Sequence, residues 1–580
     1  MCPRDGPAVL IDPITIVSTR TTMKSGDFFG ACTSARTTFF LLALALGAQP
    51  AFGQVPVIPG DPGPNVNVVG PTVVEDPWDI RDVGLKQQNE PACGIRPGNP
   101  ACMLCAYNDN RTVDVPSIGD GWISMSTSCD FGRNWRSRPI PGHNAHPAPI
   151  GETFAADPRL VVLPGMAILG FIAGDRDSDR GVAAIQFWPE INREDADHYE
   201  PGLESIIVTT GSEGKFVDKP ELFAVLDPPG EQQPVTISVE MEDPDLGVVT
   251  RTLPSGKLYM AWAEFTGSGG SKIWYKVSTD WGQTWKNQAI KLSEEQNLVS
   301  GITMTGMGQD VLAVWRRVGD NNNPDDFVGS IIFQDGKKST KGEAISTVCS
   351  FDQVSANSGF AVTFRTNDFP WLANDGNNYY LFYSDRAFGG DCATGRPRIV
   401  FQQSVDGLNW SAPTPVDNST ATTVFDNGEQ PAGTGFQFMP VAFGANGEVR
   451  VSWYDTRRET LPAATEEVAF VADTTDGLTA VFRQLDVYTA RLESAGPGIA
   501  PTVSEPIRVS QFPVAAEIQS AGGESGEVDN YTAVEAEASF PNLRLYASGL
   551  LPFIGDYIAT AAQAFRLFEG ASSGEWQPWI

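Results

Sequence analysis

Five X-Pro steps, each followed by a short apolar strand, recur along the chain. They are "NEPACGI" (Glu90, Pro91), "AADPRLVVL" (Asp157, Pro158), "VDKPELFAV" (Lys219, Pro220), "NDFPWLA" (Phe369, Pro370) and "QFMPVAF" (Met439, Pro440). A weaker unit, "LVSGITMT", begins near Val299. Successive units lie roughly 60–80 residues apart, the room a four-stranded unit with long loops requires. Each unit has a second strand ending in polar or charged residues: "CAYNDNR", "FIAGDRD", "MAWAEF", "AVWRR", "LFYSDR" and "VSWYDTRR". Third strands such as "GWISMSTS", "SKIWYKVS" and "RIVFQQS" alternate apolar with polar residues, the period of a strand with one buried face. No stretch sustains a helical period.

A single four-stranded sheet cannot bury both of its faces. Stacking such sheets radially does, and leaves few open edges. The expected fold is therefore all-β, a β-propeller of four-stranded antiparallel blades. Plentiful Gly (58) and Pro (43) suit many short strands joined by turns. Six complete units lie between residues 86 and 511. A strand-like segment, "PFIGDYIATAA" (552–562), paired with the N-terminal "NVNVVG", makes a composite seventh. Seven blades are favoured on this reading, with six as the alternative.

The chain carries a formal charge of −31, which argues against nucleic acid or an anionic membrane as a bulk partner. Near the N-terminus Arg36 precedes "TTFFLLALALGA" and then the small-residue site "AFGQ". That order reads as an export signal over residues 1–53, cleaved after Gly53; it is too short for a membrane span. Residues 1–35 are long for the basic leader of such a signal, which makes Met23 an alternative start. Residues 54–85 read as an extended lead-in and 86–580 as the propeller. Export permits disulfides among Cys93, Cys102, Cys105, Cys129, Cys349 and Cys392. Cys105 facing Cys129 across a hairpin and Cys349 with Cys392 are the expected pairs. Cys102-x-x-Cys105 offers redox or zinc chemistry as the competing reading.

Two stretches share one pattern: "SCDFGRNW" (Ser128, Asp130, Gly132, Trp135) and "STDWGQTW" (Ser278, Asp280, Gly282, Trp285). A third, "SVDGLNW" (Ser404, Asp406, Trp410), lacks one residue. The pattern is that of a tight hairpin, with the Asp accepting from turn amides, the Gly supplying a left-handed conformation and the Trp packing on the sheet. It resembles the Asp box, or BNR repeat, of sialidase-like propellers, where the boxes lie opposite the catalytic funnel. "AYNDNR", "VSWYDTR" and "PFIGDY" resemble strand signatures of bacterial secreted members. The resemblance covers most of residues 86–562.

The resemblance implies a glycoside hydrolase with arginines on the substrate carboxylate, a Tyr nucleophile with a Glu partner, and an Asp acid/base. Arg pairs bidentately with a carboxylate, and a neutral Tyr suits an anionic sugar that a carboxylate nucleophile would repel. "NDNRTVDVP" nominates Arg111 for substrate and Asp114 as acid/base. Tyr557 in "IGDY" is the candidate nucleophile and Glu264 its candidate partner. Arg365, Arg386 and Arg457 are candidate substrate ligands, with ion pairs to Asp385 and Asp455 as the competing reading for the last two. Glu90 in "NEP" occupies the place of the family's first arginine, and an acid there would repel a sialic acid carboxylate. The alternative function is therefore a non-catalytic propeller that binds a glycan or protein partner. No cofactor is required. Asp175, Asp177 and Asp179 in "GDRDSDRG" alternate as in a calcium loop, though Gly181 is displaced from the expected place. His143 and His146 in "HNAHP" have no helix around them to make a zinc site.

Overall fold

The computed structural model describes residues 88–510 apart from 111–120, 143–152, 176–180, 193–196, 268, 294–297, 320–324, 339–341, 351–367, 391, 393–394, 418–436, 446, 456 and 458–485. It also describes residue 68 and the short strands Ala8–Leu10, Ala564–Arg566 and Gln577–Pro578. Six antiparallel sheets of four or five strands follow one another along the chain as the blades of a propeller. Their innermost strands are Gln88–Ile95, Phe154–Leu163, Lys215–Leu226, Val299–Met307, Trp371–Asn374 and Gln437–Ala445, for blades 1 to 6. The six units marked by the X-Pro steps and by Val299 are these blades. Both segments of the composite seventh lie outside the described residues, apart from Val68. A separate three-stranded sheet joins Ala8–Leu10, Ala564–Arg566 and Gln577–Pro578.

The core lies between blades rather than within them. Ile168, Ile185, Leu222, Leu258 and Trp262 join blades 2 and 3; Tyr259, Tyr275, Val311 and Trp315 join blades 3 and 4. The pattern continues with Leu312, Leu381 and Tyr383, then with Phe382, Phe401, Val451 and Trp453. Each such side chain gains about 1.5–3 kcal/mol by leaving water. Blade 3 carries an inserted hairpin, Pro234–Glu240 with Val248–Pro254, whose Ile237, Val239 and Leu253 extend the core of blades 2 and 3.

Strand register distinguishes the two rims. Gln88, Asp109 and Trp122 lie side by side at one end of blade 1; Ile95, Met103 and Ser128 lie at the other. The first strand therefore begins where the second ends, and we term this the upper rim. The Ser-x-Asp turns follow the third strands at the lower rim. In the first turn the Ser128 hydroxyl donates to Asp130 Oδ1 (2.8 Å), which also accepts from the amides of Arg133 and Asn134 (3.0 Å each). Gly132 donates its amide to Ser128 Oγ (3.0 Å). Asp280 and Asp406 repeat the pattern, accepting from the amides of Thr284 (2.9 Å) and Asn409 (2.8 Å). Phe131 with Gly132, and Trp281 with Gly282, turn the chain through positive φ; the shortened third turn does so with Gly407 alone.

Three disulfides are present. Cys349–Cys392 is the pair expected, tying the end of blade 4 to blade 5. Cys105 does not pair with Cys129: it bonds Cys93, its direct neighbour across the first two strands of blade 1. Cys105 stands opposite Ser126 on the third strand, which leaves Cys129 beyond the strand end, beside Cys102, and those two are joined. Cys102 and Cys105 are thus committed to different bridges. Among the described residues no helix is long and apolar enough to cross a membrane.

Candidate functional site

Five of the six innermost strands share an irregularity, four of them at an X-Pro step. The pairing with the second strand slips between Asn89 and Ala92, Ala156 and Arg159, Asp218 and Glu221, Ser300 and Thr303, and Phe438 and Val441. At the centre of each slip one residue has positive φ: Glu90 (51°), Asp157 (57°), Lys219 (47°), Gly301 (63°) and Met439 (52°). Each is a β-bulge, and at all but Gly301 the next residue is a proline, which has no amide to lose from the ladder. The bulges fall near the upper rim, and their side chains gather at the propeller axis.

Lys219 Nζ lies 3.0 Å from Asp157 Oδ1 and 3.5 Å from Glu90 Oε1, all three side chains being buried. Asn108 donates to Glu90 Oε2 (2.9 Å) and accepts the amide of Asp157 on its own Oδ1 (3.0 Å). The Lys219 amide in turn donates to Asp157 Oδ2 (3.3 Å), so blades 1, 2 and 3 are laced together at the axis. Burial alone would raise the Asp157 carboxyl. The Lys219 charge and hydrogen bonds from its neighbours outweigh it and hold the group well below the usual carboxylate range. Two residues further along, Arg159 Nε meets Glu221 Oε2 at 2.8 Å, and burial raises the Glu221 carboxyl despite that partner. The opposite side of the axis is apolar, built from Ile302, Phe369, Pro370, Trp371, Met439 and Pro440. Any Cβ on Gly301 would sit 2.0 Å from the Phe369 ring, so the glycine makes room for it. A cavity of about 20 Å3 remains between the halves.

Around the axis, the second strands end in charge on the upper rim. Asp109 accepts from Ser124 Oγ (2.5 Å). Glu264 Oε1 lies 3.2 Å from Lys215 Nζ. Asp385 is buried and caps a single 3-10 turn, Arg386–Gly389, by accepting from the Ala387 amide (2.9 Å). Burial pushes its carboxyl up to about 6, against the bonds from the amides of Ala387 and Cys349. Arg386 is fully buried; its Nε donates to the Gly395 carbonyl (3.2 Å) and its amide to the Cys349 carbonyl (3.0 Å). Arg457 bridges Asp455 (Nε, 2.9 Å) and Asp417 (Nη2, 2.7 Å), with its guanidinium 4.2 Å from the Tyr488 ring centre. Burial opposes its charge, but Asp455 and Asp417 outweigh that and keep it protonated. Gln437 Nε2 donates to both carboxylates (3.1 and 3.3 Å).

Of the residues the sequence nominated, Glu264, Arg386 and Arg457 stand on this rim, in blades 3, 5 and 6, each held by neighbours of its own. Arg111, Asp114, Arg365 and Tyr557 lie outside the described residues, as do Asp177, Asp179, His143 and His146. Asp175 is described and has Thr153 Oγ1 3.4 Å from its Oδ1. Among the described residues no group of three or more acidic, His or Cys side chains is arranged to hold a metal. The Ser-x-Asp turns occupy the opposite rim. Sequence reasoning missed the Glu90–Asp157–Lys219 cluster and the Arg159–Glu221 pair below it. Their signal was in view, because three of the five X-Pro steps carry a charged residue just before the proline.

No family model and no curated protein matches this chain. Among solved structures it is similar to Trypanosoma rangeli sialidase in complex with the inhibitor DANA, at 9% identity over 66% of this chain and 54% of that one, with a TM-score of 0.37. It is also similar to a Hadza microbial sialidase, at 14% identity over 63% of each chain and a TM-score of 0.35. The GH93 alpha-L-arabinofuranosidase of Fusarium graminearum, in complex with arabinobiose, matches at 11% identity over 63% of this chain and 88% of that one, with a TM-score of 0.33. The chain spans about half the length of the T. rangeli sialidase.

Proposed function

We propose that the chain is an exported glycan-acting propeller that receives its ligand on the upper rim, at the mouth of the axis, and hydrolyses a glycosidic bond there. The observation that carries this reading is the gathering of acids and arginines on one rim, around an axis that is charged on one side and apolar on the other. Concave sites with an apolar wall and a few fixed polar groups are where propellers take small ligands. In this reading Asp114 is the acid/base, Tyr557 the nucleophile and Glu264 its partner, while Arg111, Arg365, Arg386 and Arg457 orient the substrate. The three lower-rim turns are then Asp boxes, and the disulfides suit an oxidising compartment.

A second reading, glycan binding without turnover, is favoured by one specific observation. Arg457 is neutralised by Asp455 and Asp417, and Glu90 stands where a carboxylate-binding arginine is expected. A panel of fluorogenic glycosides that includes a sialoside separates the two. Hydrolysis requires turnover of at least one glycoside, lost about 10²–10⁴-fold in Asp114→Asn and Tyr557→Phe. Retention on a glycan matrix with no turnover by the wild type selects binding instead.

A further inference from the structure

The two sides of the axis differ in chemistry. Among the described residues, blades 1 to 3 contribute Glu90, Asp157 and Glu221 against Lys219 and Arg159, three carboxyls to two cations. Blades 5 and 6 contribute the apolar wall of Phe369, Pro370, Trp371, Met439 and Pro440. An anionic ligand needs cationic charge in excess, aimed at its carboxylate. Among the described residues the two axial cations are already bonded to carboxylates, Lys219 at 3.0 Å and Arg159 at 2.8 Å. A neutral sugar ring asks for the opposite arrangement. Its C–H face lies on apolar surface, and its hydroxyls donate to carboxylate oxygens.

Backbone strain points to the same place. Glu90, Asp157 and Lys219 hold positive φ in three successive blades, at a cost of about 1–2 kcal/mol each. Strain of this kind persists where the direction of a side chain matters. On the apolar side Met439 carries the same strain (52°), while Gly301 takes the equivalent position at no such cost and leaves space for Phe369.

We infer that the ligand received at the mouth of the axis is a neutral, hydroxyl-rich sugar ring, held with its apolar face toward Phe369 and Met439 and its hydroxyls toward Glu90 and Asp157. This rests on the glycan-acting reading above but departs from the anionic sugar that a Tyr nucleophile and arginine ligands would suit. The cavity between the halves has the volume of about one water, so the ring lies across its mouth. Glu90 is then the residue that sets ligand charge.

The full-length protein is titrated calorimetrically with arabino-, xylo-, galacto- and manno-oligosaccharides and with sialyllactose. Glu90→Gln and Phe369→Leu are measured alongside, each checked for a wild-type circular dichroism spectrum. The inference expects at least one neutral series to bind about tenfold or more tightly than sialyllactose. It expects Glu90→Gln to weaken that neutral ligand about tenfold. If Glu90→Gln fails to fold, Phe369→Leu carries the test by weakening the same ligand. Sialyllactose binding as tightly as the best neutral series overturns the inference and leaves the glycan-acting reading standing. Neutral binding unchanged in both variants overturns the placement at the axis. No binding of any glycan overturns both readings together.

Discussion

Among the described residues Lys219 is bonded to both Glu90 and Asp157, so its removal takes away a cation that two buried carboxyls share. Breaking a buried ion pair from one side costs about 3–5 kcal/mol. Lys219→Met is expected to lose that much in urea unfolding at pH 7. The loss shrinks in acid. Asp157 has its folded carboxyl held below the ordinary value, so its stabilisation is present above that value and is given up as pH falls toward the folded one. Wild type and variant therefore converge as pH drops below about 4. Asp385 has the opposite sign. Its carboxyl is raised from 3.8 to about 6, so the folded state holds the proton more tightly and stability is lost as pH rises through that interval. Asp385→Asn removes this penalty. The variant is expected to match wild type near pH 4 and to exceed it at pH 8 by up to about 3 kcal/mol, as read by thermal melts across pH. Neither behaviour was legible in the sequence. "VDKP" and "YSDR" show the charges, but not their burial, nor the partners that Lys219 finds in blades 1 and 2 and Asp385 finds in Cys349.

Elements built from local interactions were the more legible. The Ser-x-Asp turns could be read because their bonds join residues two to four apart, and the structure forms all three. The X-Pro steps marked where five of the blades begin, but not that in four of them the residue before the proline would swing into positive φ. Such a bulge is stabilised by groups on neighbouring blades, as Asn108 and Lys219 do for Asp157. The disulfides divide in the same way. Cys349 with Cys392 was readable, whereas Cys105 with Cys93 depended on a strand register that only the folded sheet fixes. The turns also separate two costs of replacing glycine. Gly282 has φ of 94°, and its Cβ would lie 2.3 Å from Ile185 in the blade 2 core; Gly247 has φ of 58° with open space around it. Gly247→Ala is expected to cost about 1 kcal/mol of backbone strain alone. Gly282→Ala adds overpacking, for about 2–4 kcal/mol in total. Equal losses in denaturant titrations would mean that the Ile185 contact relaxes without cost.

At the scale of the whole molecule, the six units marked in the sequence are the six described blades, while the composite seventh that the sequence favoured lies outside the described residues. Strand patterning repeats with the fold, so six units could be marked from single strands. A site at the axis is assembled from all of them, one or two residues each, and no local pattern announces it. The same distribution makes the junctions between blades the places where the ring can open. Blades 4 and 5 share an apolar core and one covalent tie, Cys349–Cys392, which closes 43 residues of chain. Cys349 also accepts the Arg386 amide and donates its own to Asp385, so the tie is anchored to the rim that carries the proposed site. A loop of this length is worth about 2–4 kcal/mol to the folded state. Cys349→Ser with Cys392→Ser is expected to lose that amount. It should also speed hydrogen exchange at residues 385–387 while leaving blade 1, held by Cys93–Cys105 and Cys102–Cys129, protected as before. Uniform loss of protection across all six blades would show instead that the ring opens as one cooperative unit, and that the tie guards the whole propeller rather than the rim beside it.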